Sequence, residues 1–147
     1  MWTIYLAGEI HTNWRKQIIE QCTLLGLPIT FCSACTDHDI SDAAGDHLAA
    51  TEQPFWRDHQ SAKVNAMRIR GLIQRSDFAI IRFGSRYKQW NAAFDAGYCA
   101  ALGKPYITLH DADLVHPLKE VDAAALAVAQ SPSQVVKLLS YVINGTL

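Results

Sequence analysis

The chain has 147 residues, half of them apolar and 18% charged, with a formal net charge of −1. Such a chain is too apolar to be disordered and too near neutrality to hold a polyanion by bulk electrostatics. No apolar stretch approaches the ~20 residues that span a bilayer, and Glu9 and His11 follow the first short apolar run directly, unlike a signal peptide. One cytoplasmic domain over residues 1–147 is therefore expected, with no nucleic-acid polymer or membrane as partner.

Taken in order, Trp2 to Ala7 reads as a first strand, with Gly8-Glu9-Ile10-His11 as its exit loop. Thr12 or Asn13 caps a helix carrying Trp14, Ile18, Cys22 and Leu25 on one face and ending at Gly26. Pro28 leads into a second strand, Ile29 to Cys32. Residues 33–57 lack periodicity and are rich in Asp and His; a stretch this long is functional or hides a short helix. Phe55 and Trp56 are expected to anchor it. From Asp58 to Arg75 helical spacing returns, with Ala62, Ala66, Ile69 and Ile73 on one face. Phe78 to Ile81 is a third strand.

The next helix is marked by Trp90, Ala93, Phe94, Gly97, Tyr98 and Ala101 and is stopped by Gly103 and Pro105. Tyr106 to Leu109 forms a fourth strand, Pro117 to Ala124 a short helix and Ala125 to Ala129 a fifth strand. Ser131 and Pro132 start a last helix as cap and first helical residue. Strands apolar on both faces, alternating with helices, make a doubly wound, mostly parallel five-stranded sheet of the flavodoxin-like or Rossmann-like kind. Ligands of such sheets bind beyond the carboxyl ends of the strands. The loops at Gly8-Glu9, Ser33 to Asp39, Gly84 to Gln89 and His110-Asp111 should gather there.

Several chemistries lack their signature. Neither Gly-x-Gly-x-x-Gly after the first strand nor a P-loop is present, and no Gly-x-Ser-x-Gly elbow exists. Cys22 and Cys99 read as buried thiols. Cys32 and Cys35 form C-x-x-C with His38 nearby, yet without a second pair or a fourth ligand at metal spacing, so coincidence outweighs zinc or redox use. No cofactor and no metal are expected. What remains is a carboxylate, Asp95, in an early turn of a helix whose backbone donors and dipole should keep it ionised. An ionised carboxylate facing a sugar carbon can act as nucleophile or stabilise an oxocarbenium-like transition state. Tyr5, Tyr87 and Trp90 are candidates to stack on a base or sugar, and Gln89 or Asn91 to hold hydroxyls. Each also has a plain structural reading: Asp95 can simply match its helix start, and Trp90 sits on an apolar stripe.

The residues carry a resemblance. Tyr5-Leu6-Ala7-Gly8, then Phe94-Asp95-Ala96-Gly97-Tyr98 and Ala101-Leu102-Gly103-Lys104-Pro105, resemble the nucleoside 2-deoxyribosyltransferase superfamily. Gly8 to Thr12, Arg82-Phe83-Gly84, Tyr87 to Gly97 and Lys119 to Ala125 resemble its YtoQ family over nearly the whole chain. The resemblance implies a flavodoxin-like fold, assembly into homodimers or larger homo-oligomers, and a carboxylate that attacks the anomeric carbon of a nucleoside and releases the base. Against the superfamily's Asp-x-Gly-Thr-x-x-Glu-x-Gly, Gln89 to Gly97 matches outright only at Gly97. Asp95 stands at the nucleophile's place one methylene shorter, ~1.5 Å retracted, and Gln89 replaces an acid.

The expected function is thus an enzyme that cleaves or transfers the N-glycosidic bond of a nucleoside or nucleotide. Asp95 is the nucleophile or stabiliser, and Glu9 the replacement general acid/base, ahead of His11 and Asp58. Tyr5, Gly8, His11, Tyr87, Lys88, Gln89, Trp90 and Asn91 shape the pocket, and Arg82 or Lys88 meets a phosphate. The rival expectation is a non-catalytic nucleotide-binding module with an inherited pocket; a metal-dependent hydrolase built on the Asp/His-rich stretch is a weaker third.

Overall fold

The computed structural model describes residues 1–48 and 52–146. Five parallel strands form one sheet: β1 (Trp2–Gly8), β2 (Ile29–Ser33), β3 (Phe78–Phe83), β4 (Tyr106–His110) and β5 (Ala127–Ala129). Their order is β2-β1-β3-β4-β5, the flavodoxin-like arrangement. The chain leaves β1 in one direction to make β2 and returns on the other side to make β3. Strand order therefore reverses between β1 and β3, and a crevice opens beyond their carboxyl ends.

Two layers of helices cover the sheet. On one face, α1 (Trp14–Leu24) and α6 (Pro132–Asn144) bury Trp14, Ile18, Cys22, Val135 and Leu139 against Ile4, Leu6, Ile80 and Leu109. On the other lie α3 (Pro54–Arg75), α4 (Trp90–Ala101) and α5 (Lys119–Ala124), packed over Tyr5, Ala7, Ile81, Phe83 and Tyr106. The two-residue period of the strands sends alternate side chains to the two cores. The Ser131 hydroxyl caps α6 as the sequence predicts, accepting from Gln134 N at 3.3 Å. The fifth strand is shorter than expected, beginning at Ala127 because α5 runs to Ala124.

The long stretch after β2 does hide helix. Its described part contains α2 (His38–Asp42), capped by the Asp37 carboxylate on Ile40 N at 3.1 Å, and a 3₁₀ turn at Ala44–His47. Ala49–Thr51 lie outside the described residues. Pro54 takes the first helical position, so α3 starts four residues before the expected Asp58. Phe55 and Trp56 do not anchor the segment inward. Both are largely exposed and contact His59 on the outer side of the helix.

Length explains how α3 behaves. Twenty-two helical residues extend ~33 Å, whereas seven strand residues extend only ~23 Å. The helix runs back from the carboxyl rim to the start of β3, so its first turns overhang the sheet. Ile73 is buried near its end, but Ala62 of the same apolar stripe is exposed. That overhang makes one wall of the crevice.

Beneath α5, Thr108 donates its hydroxyl to Asp122 at 2.7 Å. His110 has Asp122 Oδ2 at 2.9 Å from Nε2 and the Asp111 carbonyl at 2.8 Å from Nδ1. An acceptor thus faces each ring nitrogen. This buried network ties α5 to β4.

Candidate functional site

The crevice at the switch point is a cleft of about 840 Å³, within the range of small-molecule sites. Its base is the β1 exit, Gly8 to His11. One wall is the α3 overhang with Ala62, Ala66 and Ile69, and the other comes from the β3 exit loop and α4, with Tyr87, Asn91, Phe94 and Asp95.

The two exit loops are stitched together by backbone. Gly8 has φ +110°, and a Cβ there would lie 2.0 Å from the Arg82 carbonyl oxygen, so glycine alone lets β1 leave beside β3. Glu9 N then donates to Arg82 O at 3.1 Å. The Glu9 carboxylate folds over the loop that leads into α1. Its Oε2 accepts from His11 N at 2.7 Å and Thr12 N at 3.1 Å, and its Oε1 accepts from the Thr12 hydroxyl. Gly84 passes over it so closely that a Cβ would sit 3.0 Å from Glu9 Cγ. Gln89 Oε1 accepts from Gly84 N at 3.0 Å and turns the chain into α4.

The face of α4 that meets the sheet is not the aromatic one. Ala92, Asp95, Ala96 and Cys99 are buried, whereas Trp90 is 73% exposed and Phe94 66%. Small residues let α4 lie close to the strands, and the aromatics turn outward along the cleft and its mouth. This corrects the expected stripe of Trp90, Ala93, Phe94 and Gly97. It also puts Asp95 among apolar neighbours.

Asp95 is 9% exposed. Burial pushes its carboxyl up to about 6, and among the described residues no cation offsets this. The helix start does not hold it ionised, as expected from sequence, because Asp95 lies in the second turn, where backbone N–H groups are already used within the helix. Desolvation dominates. Tyr5 lies beneath it, fully buried and not on the cleft surface. Its hydroxyl has no well-formed hydrogen bond, yet it is near enough to Asp95 to pull that carboxyl partly back down. Burial and the Asp95 charge hold the Tyr5 phenol far above its usual range. The expected stacking platform is therefore a support.

Of the remaining sequence candidates, Gly8, Glu9, His11, Tyr87, Lys88, Gln89, Trp90 and Asn91 all border the cleft. His11 packs on Tyr87 with centroids 4.7 Å apart, and Lys88 Nζ lies 5.5 Å over the Trp90 ring. Arg82 does not border it. It follows Ile80 onto the α1/α6 side of β3 and reaches Asp111 at 3.3 Å; strand alternation excludes it. The four cysteines are free, and Cys22 and Cys99 are buried with thiols pushed up to about 11. Among the described residues no group of three His, Cys, Asp or Glu side chains could hold a metal ion.

Sequence reading missed Arg15, Tyr98, Lys63 and Arg70 as cleft residues. Arg15 donates to the carbonyls of Glu9 at 2.6 Å and Gly8 at 3.0 Å. Tyr98 accepts from Gln74 Nε2 at 2.9 Å. Lys63 and Arg70 are seven residues apart, two helical turns, which was the available signal.

Fold and cleft together define a doubly wound α/β protein whose crevice holds two buried carboxylates, Glu9 and Asp95, beside an aromatic rim. The family described as "Nucleoside 2-deoxyribosyltransferase YtoQ" matches residues 5–143, and the chain belongs to that family. It is 42% identical over 139 residues to "Uncharacterized protein YtoQ" of Bacillus subtilis (strain 168), covering 94% of each chain. Two solved structures share the fold. A conserved protein from Enterococcus faecalis V583 gives a TM-score of 0.66 at 14% identity, over 97% of this chain and 99% of that one. A 2-deoxyribosyltransferase from Bacillus psychrosaccharolyticus gives 0.54 at 17% identity, over 91% and 90%. No helix among the described residues is long and apolar enough to cross a membrane.

Proposed function

We propose that the chain cleaves or transfers the N-glycosidic bond of a nucleoside-class substrate, with Asp95 as the reacting carboxylate. The observation that carries this reading is the Asp95 carboxyl itself: buried, pushed up to about 6, without a cation partner among the described residues, and bordering a cleft of about 840 Å³. Such a group is neither a cap nor half of an ion pair, and clefts are where perturbed carboxylates do chemistry. In the first step an Asp95 oxygen bonds to the anomeric carbon while the C–N bond breaks and its electrons leave with the base, which takes up a proton. Water or a second base then attacks the same carbon and frees the carboxylate.

Glu9 is a poor proton donor in this scheme. Both its oxygens accept hydrogen bonds from the loop that leads into α1, and protonation would set its proton against those donors. Its part is to hold the loop. Tyr87, Trp90 and Phe94 offer ring faces to a base or sugar, and Asn91 an amide to its hydroxyls. A family resemblance and a 2-deoxyribosyltransferase neighbour of like fold support the substrate class.

The use of Gln89 to fasten Gly84 favours a second reading, a binding module without turnover, since glutamine transfers no proton. Incubation with a panel of nucleosides decides. Release of free base by the wild type, lost in Asp95→Ala, upholds the enzyme; ligand-induced thermal stabilisation with no base released upholds the module.

A further inference from the structure

We propose that Glu9 is a built-in anion that fills the phosphate-receiving place in the loop between β1 and α1 and makes the cleft select unphosphorylated nucleosides over their 5′-phosphates. The inference rests on the nucleoside reading of the cleft. In open parallel sheets a ligand phosphate lies at the exit of the first strand, against successive backbone N–H groups of the loop that leads into the following helix. Here two successive N–H groups of that loop, His11 N and Thr12 N, already donate to Glu9 Oε2 at 2.7 and 3.1 Å, and the Thr12 hydroxyl donates to Oε1. Glu9 is only 5% exposed.

The carboxylate is also fixed. Gly84 of the β3 exit loop packs against its stem. The Glu9 carbonyl is held by Trp14 Nε1 at 2.9 Å and by Arg15 at 2.6 Å. A phosphate arriving here meets a like charge and finds those donors taken.

The cations of the cleft do not reverse this. Arg15 has Glu9 itself as its opposite charge. Arg70 lies over the Tyr98 ring and Lys88 over Trp90. Lys63 shares the cleft with Asp42 and Asp58. Arg82, expected to meet a phosphate, is on the far side of the sheet with Asp111.

The test measures binding of inorganic phosphate, of a 2′-deoxynucleoside and of its 5′-monophosphate to the wild type, Glu9→Gln and Glu9→Ser. Glutamine keeps the length and one acceptor oxygen, so the loop survives even where serine unfolds it. The wild type should prefer the nucleoside by roughly tenfold or more, and Glu9→Gln should shift that ratio toward the monophosphate by a similar factor. Inorganic phosphate should raise the melting temperature of the variant but not of the wild type. A wild type that binds the monophosphate as tightly as the nucleoside overturns the inference, as does a folded Glu9→Gln with an unchanged ratio and no phosphate response. If no nucleoside binds any form, the nucleoside reading fails; a phosphate response gained by Glu9→Gln then still upholds the built-in anion, and its absence overturns it.

Discussion

Replacing Asp95 by asparagine should make the protein more stable at neutral pH while removing its activity. Asp95 has its carboxyl raised from 3.8 to about 6 by burial. Folding therefore favours the protonated form: this group's contribution is fully present below pH 3.8 and is lost as pH rises through about 6. A displacement of roughly two pKa units corresponds to about 3 kcal/mol at pH 8. Asparagine removes that burden, although its amide brings a pH-independent cost of its own. Comparing two pH values cancels this cost. The stability of Asp95→Asn relative to the wild type should grow by about 2.5 kcal/mol between pH 4 and pH 8. At full effect this is roughly 6–12 °C in melting temperature for a chain of this size. Urea denaturation of both proteins across that range is the assay. A difference that stays flat with pH, or that falls toward pH 8, refutes the idea that Asp95 is held ionised at a cost for the sake of its chemistry.

Other expectations follow from the same geometry. Wild-type base release should rise with pH through about 6 as Asp95 ionises, and a pH profile of kcat/KM that is flat between 5 and 7 would separate the activity from this carboxylate. Trp90→Ala should weaken ligand binding while leaving the melting temperature nearly unchanged, because the ring is exposed; titration calorimetry beside a thermal melt reads both. Gly8→Ala should destabilise the fold by more than ~2 kcal/mol, since the added methyl meets the Arg82 carbonyl and φ is positive, and chemical denaturation gives the figure. Asp122→Ala strands His110 and Thr108 beneath α5 and should cost about 3 kcal/mol in the same measurement.

The parallel sheet and its helices were legible because they depend on pattern. Ile4-Tyr5-Leu6-Ala7 and Phe78 to Ile81 are apolar on both faces, which only a sheet covered on both sides accommodates. Ser131-Pro132 announced α6 through local capping chemistry. Part of the site was legible too, since a doubly wound sheet has its crevice at the strand exits, where Gly8 to His11 and Tyr87 to Asn91 lie. The orientation of α4 was not. Its sequence offers two adjacent stripes, one aromatic and one of small residues around Asp95, and periodicity rates the aromatic one higher. Packing chose the other, because only small side chains let the helix approach the strands.

From the sequence alone came the order of elements and the rim where the strands end. Tertiary structure alone decided what surrounds each charge. Glu9 reads as a general acid/base until the backbone of His11 and Thr12 folds around it, Arg82 reads as a cleft cation until strand alternation carries it to the opposite face, and Asp95 reads as a helix-start charge until α4 presses it among buried neighbours. Local pattern fixes which way a chain turns, but desolvation and hydrogen-bond partners come from residues distant in sequence, and these set the chemistry of an ionisable group.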